Sequence, residues 1–166
     1  MHPDPEEERT MRTPVATLLV SAALAVPAAT PAQSLRPALD FATADAIRDH
    51  CLAHAARAGH AVAVAVFDQG GDLLSFANDG ASPATGAVAQ WKGRSAAIYR
   101  VSTATTGAWN VPTAPMIATV EGGVPLYTAG GVGIGGVGVS GAPPRFDAEC
   151  GARAAESVGL AAAPGR

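Results

Sequence analysis

His60-Ala-Val-Ala-Val-Ala-Val-Phe67-Asp68-Gln-Gly-Gly71-Asp72 is the stretch on which the fold turns. Alanine alternates with β-branched valine from Ala61 to Val66, the pattern of a strand that packs a neighbour on each face. The strand therefore covers His60 to Asp68. Asp68-Gln-Gly-Gly-Asp72 has the composition of a tight turn, so Leu73 to Ala77 returns as the second arm of a hairpin. Upstream, Gln33 to Leu39 is a proline-containing lead-in. Thr43 or Asp45 then caps a helix that runs to about Ala58 and stops at Gly59, with Ala44, Ile47, Cys51, Ala55 and Ala58 on its buried face. Downstream, a polar loop from Asn78 to Thr85 leads into a helix from about Ala87 to Val101, whose apolar stripe is Val88, Trp91, Ser95 and Ile98-Tyr99. Ser102 to Gly122 reads as a short helix followed by a loop. Two strands, Val124 to Thr128 and Gly133 to Ser140, and a closing helix, Arg145 to Val158, complete the chain. This order predicts an α+β fold in which a single, mostly antiparallel sheet is flanked by helices.

The 166 residues divide near the N-terminus. Met11-Arg12, the apolar run Val15 to Val26 and the small residues Pro27 to Ala32 have the layout of a secretory signal that begins at Met11. The apolar run is about a dozen residues long, short of the roughly 20 that span a bilayer. Residues 1–32 are therefore expected to be an extension and cleavable signal, removed after Ala28 or Ala32 without leaving a stable membrane anchor. Residues 33–166 are the functional domain, exported to a periplasm or outside the cell. Loss of Asp4, Glu6, Glu7, Glu8, Arg9 and Arg12 takes the formal charge from −3 to −1. A nearly neutral domain has no electrostatic reason to hold nucleic acid. With 48% hydrophobic but only 5% aromatic residues, the core is built from small aliphatic side chains that let helix and sheet come close. Cys51 and Cys150 lie on the first and last predicted helices; an oxidising compartment would allow them to bridge, and burial as free thiols is the other reading.

The ordered elements Val62 to Gly71, Gln90-Trp-Lys92-Gly-Arg-Ser-Ala-Ala97, Glu121-Gly-Gly-Val-Pro-Leu126, Gly135-Gly-Val-Gly-Val-Ser-Gly141 and Asp147-Ala-Glu-Cys150 give the chain a family resemblance. It resembles the GlcG/HbpS-like proteins, also called the heme-degrading domain family, over about Phe41 to Leu160. The resemblance implies a single antiparallel sheet flanked by helices, somewhat profilin-like, in a homo-oligomer. It also implies a small-molecule ligand, with heme or a related tetrapyrrole as cofactor.

Read for that ligand, His50 and His54 are four apart on one helix face and are the candidate iron ligands. Lys92 and Arg94, at the two edges of the second helix's stripe, are candidates to pair with propionates or another carboxylate. Asp68 is a third candidate at the ligand, beside its role in bonding turn amides. Trp91 is expected in the core or at a subunit interface. Gly131-Val-Gly-Ile-Gly-Gly136 fits GxGxxG in form only, because no helix follows it. Ser140 lies outside a GxSxG elbow, Cys51 has no matching base, and Glu121 and Asp147 are isolated, so no catalytic residue is assigned. Three functions follow in order: an exported heme-binding scavenger or sensor accessory, an enzyme acting on heme or a small carboxylate, and an oligomeric interaction protein without a ligand.

Overall fold

The structure, a computed structural model, describes residues 35–165. The expected signal at residues 1–32 lies outside the described residues.

Among the described residues the elements run α1 (Phe41–Arg57), β1 (Ala63–Asp68), β2 (Leu73–Asn78), α2 (Pro83–Tyr99), α3 (Thr103–Ala108), β3 (Gly123–Tyr127), β4 (Gly133–Ser140) and α4 (Pro144–Ser157). The four strands form one antiparallel sheet in the order β2-β1-β4-β3, as the hairpin reading requires. β1 lies inside it, paired with β2 on one side and β4 on the other, which explains why both of its faces are apolar.

Alternation along the strands sorts the core into two halves. Val62, Val64, Val66, Val137 and Val139 point to α1 and α4, where they meet Ile47, Cys51, Ala55, Cys150 and Ala154. Ala63, Ala65 and Phe67 point the other way, onto Ala89 and Ala97 of α2. Cys51 and Cys150 are disulfide-bonded with Cα atoms 5.2 Å apart, tying α1 to α4 on the valine face. On the α2 face the sheet is nearly bare. A Cβ on Gly138 would run into the Ala89 carbonyl and Gly93, and one on Gly93 would come within 2.8 Å of the Ala65 carbonyl oxygen. The glycines of β4 thus let α2 rest on backbone.

Two helix starts differ from the sequence reading. α1 begins at Phe41, because the Asp40 carboxylate accepts from the Thr43 amide at 2.7 Å; Asp45 instead accepts from the Ser75 hydroxyl and pairs with Arg48. α2 begins at Pro83, not Ala87, with Ser82 as its cap and proline at the first helical position, where no amide is needed. The stripe assigned to α2 is also corrected. Its buried residues are Gly86, Ala89, Lys92, Gly93, Ser95, Ala96 and Ala97, while Trp91 and Ile98 are 38% and 37% exposed. Large side chains have no room above glycine strands, so they are turned outward.

Candidate functional site

Lys92 and Arg94 leave α2 in different directions. Lys92 is 2% exposed; its ammonium donates to the Val139 carbonyl at 3.0 Å and to Asp147 Oδ2 at 3.2 Å. It passes the start of β3, where a Cβ on Gly122 would meet Lys92 Nζ at 2.6 Å and the Val139 carbonyl oxygen at 2.7 Å. Gly122 also holds a φ of 125°, which only glycine adopts without strain. Asp147 sits in the first turn of α4 and its other oxygen accepts from the Ala142 amide at 3.1 Å. Burial pushes the Asp147 carboxyl above its ordinary value of 3.8, opposed by Lys92, by the Ala142 amide and by the charge of His60. The expected place of Lys92 at an edge of the helix stripe is thus corrected: a short backbone around Gly122 and Gly123 lets the side chain reach a carboxylate on the far side of the sheet. Its charge is engaged inside the protein.

Arg94 remains at the surface, where its guanidinium lies 5.4 Å from the centre of the Phe67 ring. With Phe67, Gln90, Trp91 and Met116 it lines an open cleft of about 280 Å³ beside α2. Trp91 contributes a half-exposed indole, so the expectation of a core position does not hold for it. Met116 comes from the segment between α3 and β3. That segment is docked onto α2 by Tyr99, whose hydroxyl donates to the Pro115 carbonyl at 2.6 Å, and by Ser95, whose Oγ accepts from the Ala118 amide at 2.8 Å. A guanidinium, an exposed indole and a thioether in one depression suit a partly apolar molecule that carries a carboxylate.

The other candidates lie elsewhere. Asp68 ends β1 and its Oδ1 accepts from the amides of Gly70 and Asp72 at 2.8 and 2.9 Å, which shapes the β1–β2 turn. His50 is exposed on α1. His54 is half-buried and stacked on Phe146, ring centroids 5.3 Å apart and 6° from parallel, and His60 meets Phe146 edge-on at 4.6 Å. His54 Nε2 is enclosed and makes no hydrogen bond among the described residues. With Phe146 stacked on its ring, His54 keeps Nε2 away from solvent. Both histidines sit on the α1 side of the sheet, whereas Arg94 belongs to α2 on the opposite side. The expected histidine and carboxylate-binding residues therefore do not form one site within a chain. No group of three or more His, Cys, Asp and Glu side chains able to hold a metal ion occurs among the described residues. None of their helices is long and apolar enough to cross a membrane.

Gln90, Phe67 and Met116 escaped the sequence reading as site residues. Phe67 carried a signal, as the lone aromatic in an Ala-Val strand. Met116 carried none, since its segment lacks any period.

Comparison with known proteins agrees with this architecture. Residues 39–156 match the family described as "Haem degrading protein HbpS-like". Protein GlcG of Escherichia coli is 38% identical over 86 residues, which is 48% of this chain and 63% of that protein; the match thus spans under two thirds of the relative's length. The crystal structure of a double mutant of Streptomyces reticuli HbpS superposes with a TM-score of 0.71 at 28% identity, covering 83% of this chain and 99% of the other. A crystal structure of a PduOC complex with heme superposes at 0.69 with 20% identity, covering 76% and 99%, and shares the fold.

Proposed function

The chain belongs to the HbpS-like family, and from that premise we propose that it binds heme or a related tetrapyrrole as an exported scavenger or sensor accessory, assembled as a homo-oligomer. The observation that carries the reading is the α2 cleft, where Arg94 is held over Phe67 beside the exposed Trp91 ring. These residues fit the group in kind. The exposed Trp91 ring would take one face of the macrocycle, and Arg94 would pair with a propionate as a charge-assisted donor. Bound heme would supply redox chemistry at its iron.

Size bears on the assembly. About 280 Å³ is below the roughly 300–1,000 Å³ of sites that enclose a drug-sized ligand. The cleft covers one side of such a ligand, and a second subunit would cover the other. The same size favours one second reading, an enzyme or binder for a small carboxylate held by Arg94.

Hemin titration of the full chain, followed by absorbance, tests the proposal. A saturable Soret shift is expected. Arg94→Gln should weaken binding about tenfold, the scale of one hydrogen bond to a charged group, while His50→Ala and His54→Ala bind as the parent does. Loss in His54→Ala with Arg94→Gln unaffected would move the site to the α1 face. Absence of a saturable shift would overturn the heme reading. A small carboxylate that raises the unfolding midpoint of the parent but not of Arg94→Gln would then establish the second.

A further inference from the structure

Arg94 is a cation whose position is fixed but whose charge has no carboxylate partner. The ion pairs among the described residues are those of Arg48 with Asp45 and Asp49, of Lys92 with Asp147, and of Arg153 with Glu149. The stem of Arg94 is packed on the β1–β2 turn, where a Cβ on Gly71 would come within 3.4 Å of Arg94 Cγ and 2.9 Å of Ile98 Cδ1. Further out, the guanidinium lies over the Phe67 ring, which is 1% exposed. Phe67 therefore serves the cleft by holding Arg94, not as a surface for a ligand. An arginine ordered in this way loses little further freedom when an anion binds, which favours the complex.

The remaining walls differ in kind. Gln90 and Trp91 lie one turn before Arg94 on α2, and the Trp91 indole is exposed. The turn Ala114–Ile117, closed by the Ile117 amide on the Ala114 carbonyl at 3.2 Å, carries Met116 at its third position, where a φ of 58° is the ordinary backbone after Pro115. Its thioether side chain lines the cleft. Among the described residues that line the cleft, Arg94 alone is charged. The volume of about 280 Å³ is that of roughly nine water molecules in the liquid.

We propose that the α2 cleft takes a monocarboxylate whose apolar body has about five to seven carbons, the carboxylate on Arg94 and the body along Trp91 and Met116. The inference rests on the second reading of that cleft, a small carboxylate held by Arg94, and adds the nature of the rest of the molecule. An acid shorter than this leaves the indole and the thioether wet, so affinity grows with length until the cleft is filled. A second carboxylate at the far end would leave water for apolar walls with no cation to meet it, so a dianion is selected against.

The test titrates the full chain with butyrate, hexanoate, octanoate and hexanedioate, followed by NMR shifts, in the parent, Arg94→Gln and Trp91→Ala. In the parent, each added methylene up to octanoate should tighten binding about twofold to fourfold, the upper figure being that for complete burial. Hexanedioate should bind about tenfold more weakly than hexanoate, the scale of leaving one polar group without a partner. Arg94→Gln should weaken every acid about tenfold or more, and Trp91→Ala should flatten the rise with length. Unchanged unfolding midpoints establish that both variants keep the fold. Equal affinity for butyrate and octanoate, or hexanedioate bound as tightly as hexanoate, would overturn the inference; loss of that binding in Arg94→Gln would leave the carboxylate reading standing. Absence of any binding that depends on Arg94 would overturn the reading itself and the inference with it.

Discussion

On the α1 and α4 face of the sheet, Val62, Val64, Val66, Val137 and Val139 fill the space between strands and helices, and a disulfide joins the two helices. On the α2 face, the same strands offer Ala63, Ala65, Gly136 and Gly138, and the helix rests against the strand backbone. One face is stabilised by side chains that interlock. The other is stabilised by side chains that are missing, so that close approach replaces interdigitation. An added methyl group should therefore harm one face, and a deleted one the other.

The largest effect is expected at the buried ion pair that joins α2 to α4. Lys92→Ala leaves Asp147 buried without its cation and should destabilise the fold by about 3–5 kcal/mol in chemical denaturation. Lys92→Met combined with Asp147→Leu removes both charges and should recover much of that loss. A Lys92→Ala variant of parental stability would mean that the faces are held independently.

Next comes the disulfide, which acts on the valine face alone. Its cysteines are 99 residues apart, and the chain-entropy estimate for a loop near that length is about 4.7 kcal/mol. Cys51→Ala with Cys150→Ala should lower stability by up to that amount, while the Arg94 cleft, on the other side of the sheet, retains its ligand affinity. Loss of binding with the fold intact would break the independence of the faces.

A matched pair of substitutions tests the contrast on a single strand. Gly138→Ala should cost about 3 kcal/mol, because its Cβ meets backbone that cannot give way. Val137→Ala, its neighbour pointing the other way, should cost about 2 kcal/mol from lost burial. Equal tolerance of added methyls on both faces would contradict the backbone contact.

The smallest effect is in pH dependence. Asp147 titrates above 3.8 in the folded state because burial disfavours its charge. Between 3.8 and its folded value the native state holds more protons than the unfolded one, so this group's contribution is full below 3.8 and declines as pH rises through that window. Asp147→Asn should remove that decline from a plot of unfolding free energy against pH. A parental slope in the variant would assign it to another group.

Much of this fold was legible in the residues. The Ala-Val alternation of Ala61 to Phe67, the turn at Asp68 to Asp72 and the periodic face of α1 give the sheet and its helices, because each signal is local. Which side of α2 is buried was not legible, since large apolar residues ordinarily mark a core and here the partner surface is glycine. The partnership of Lys92 with Asp147 spans 55 positions and depends on how the chain bends at Gly122. Nor does sequence reveal that Phe146 closes over His54, or that the chain reverses at Met116. Both depend on contacts between distant segments, which no periodicity records.

A helix laid on glycine has few ridges to set its position along the strands beneath it. Sliding or rolling α2 would disturb few interlocked side chains, but it would carry the Lys92 ammonium off both the Val139 carbonyl and Asp147, leaving charge in a dry interior. That buried charge works as a detent, with a single stop on an otherwise smooth track. Arg94, two residues further along the same helix, is indexed by it. The orientation of the outer cleft is thus set from the inside, by a residue that never reaches its surface.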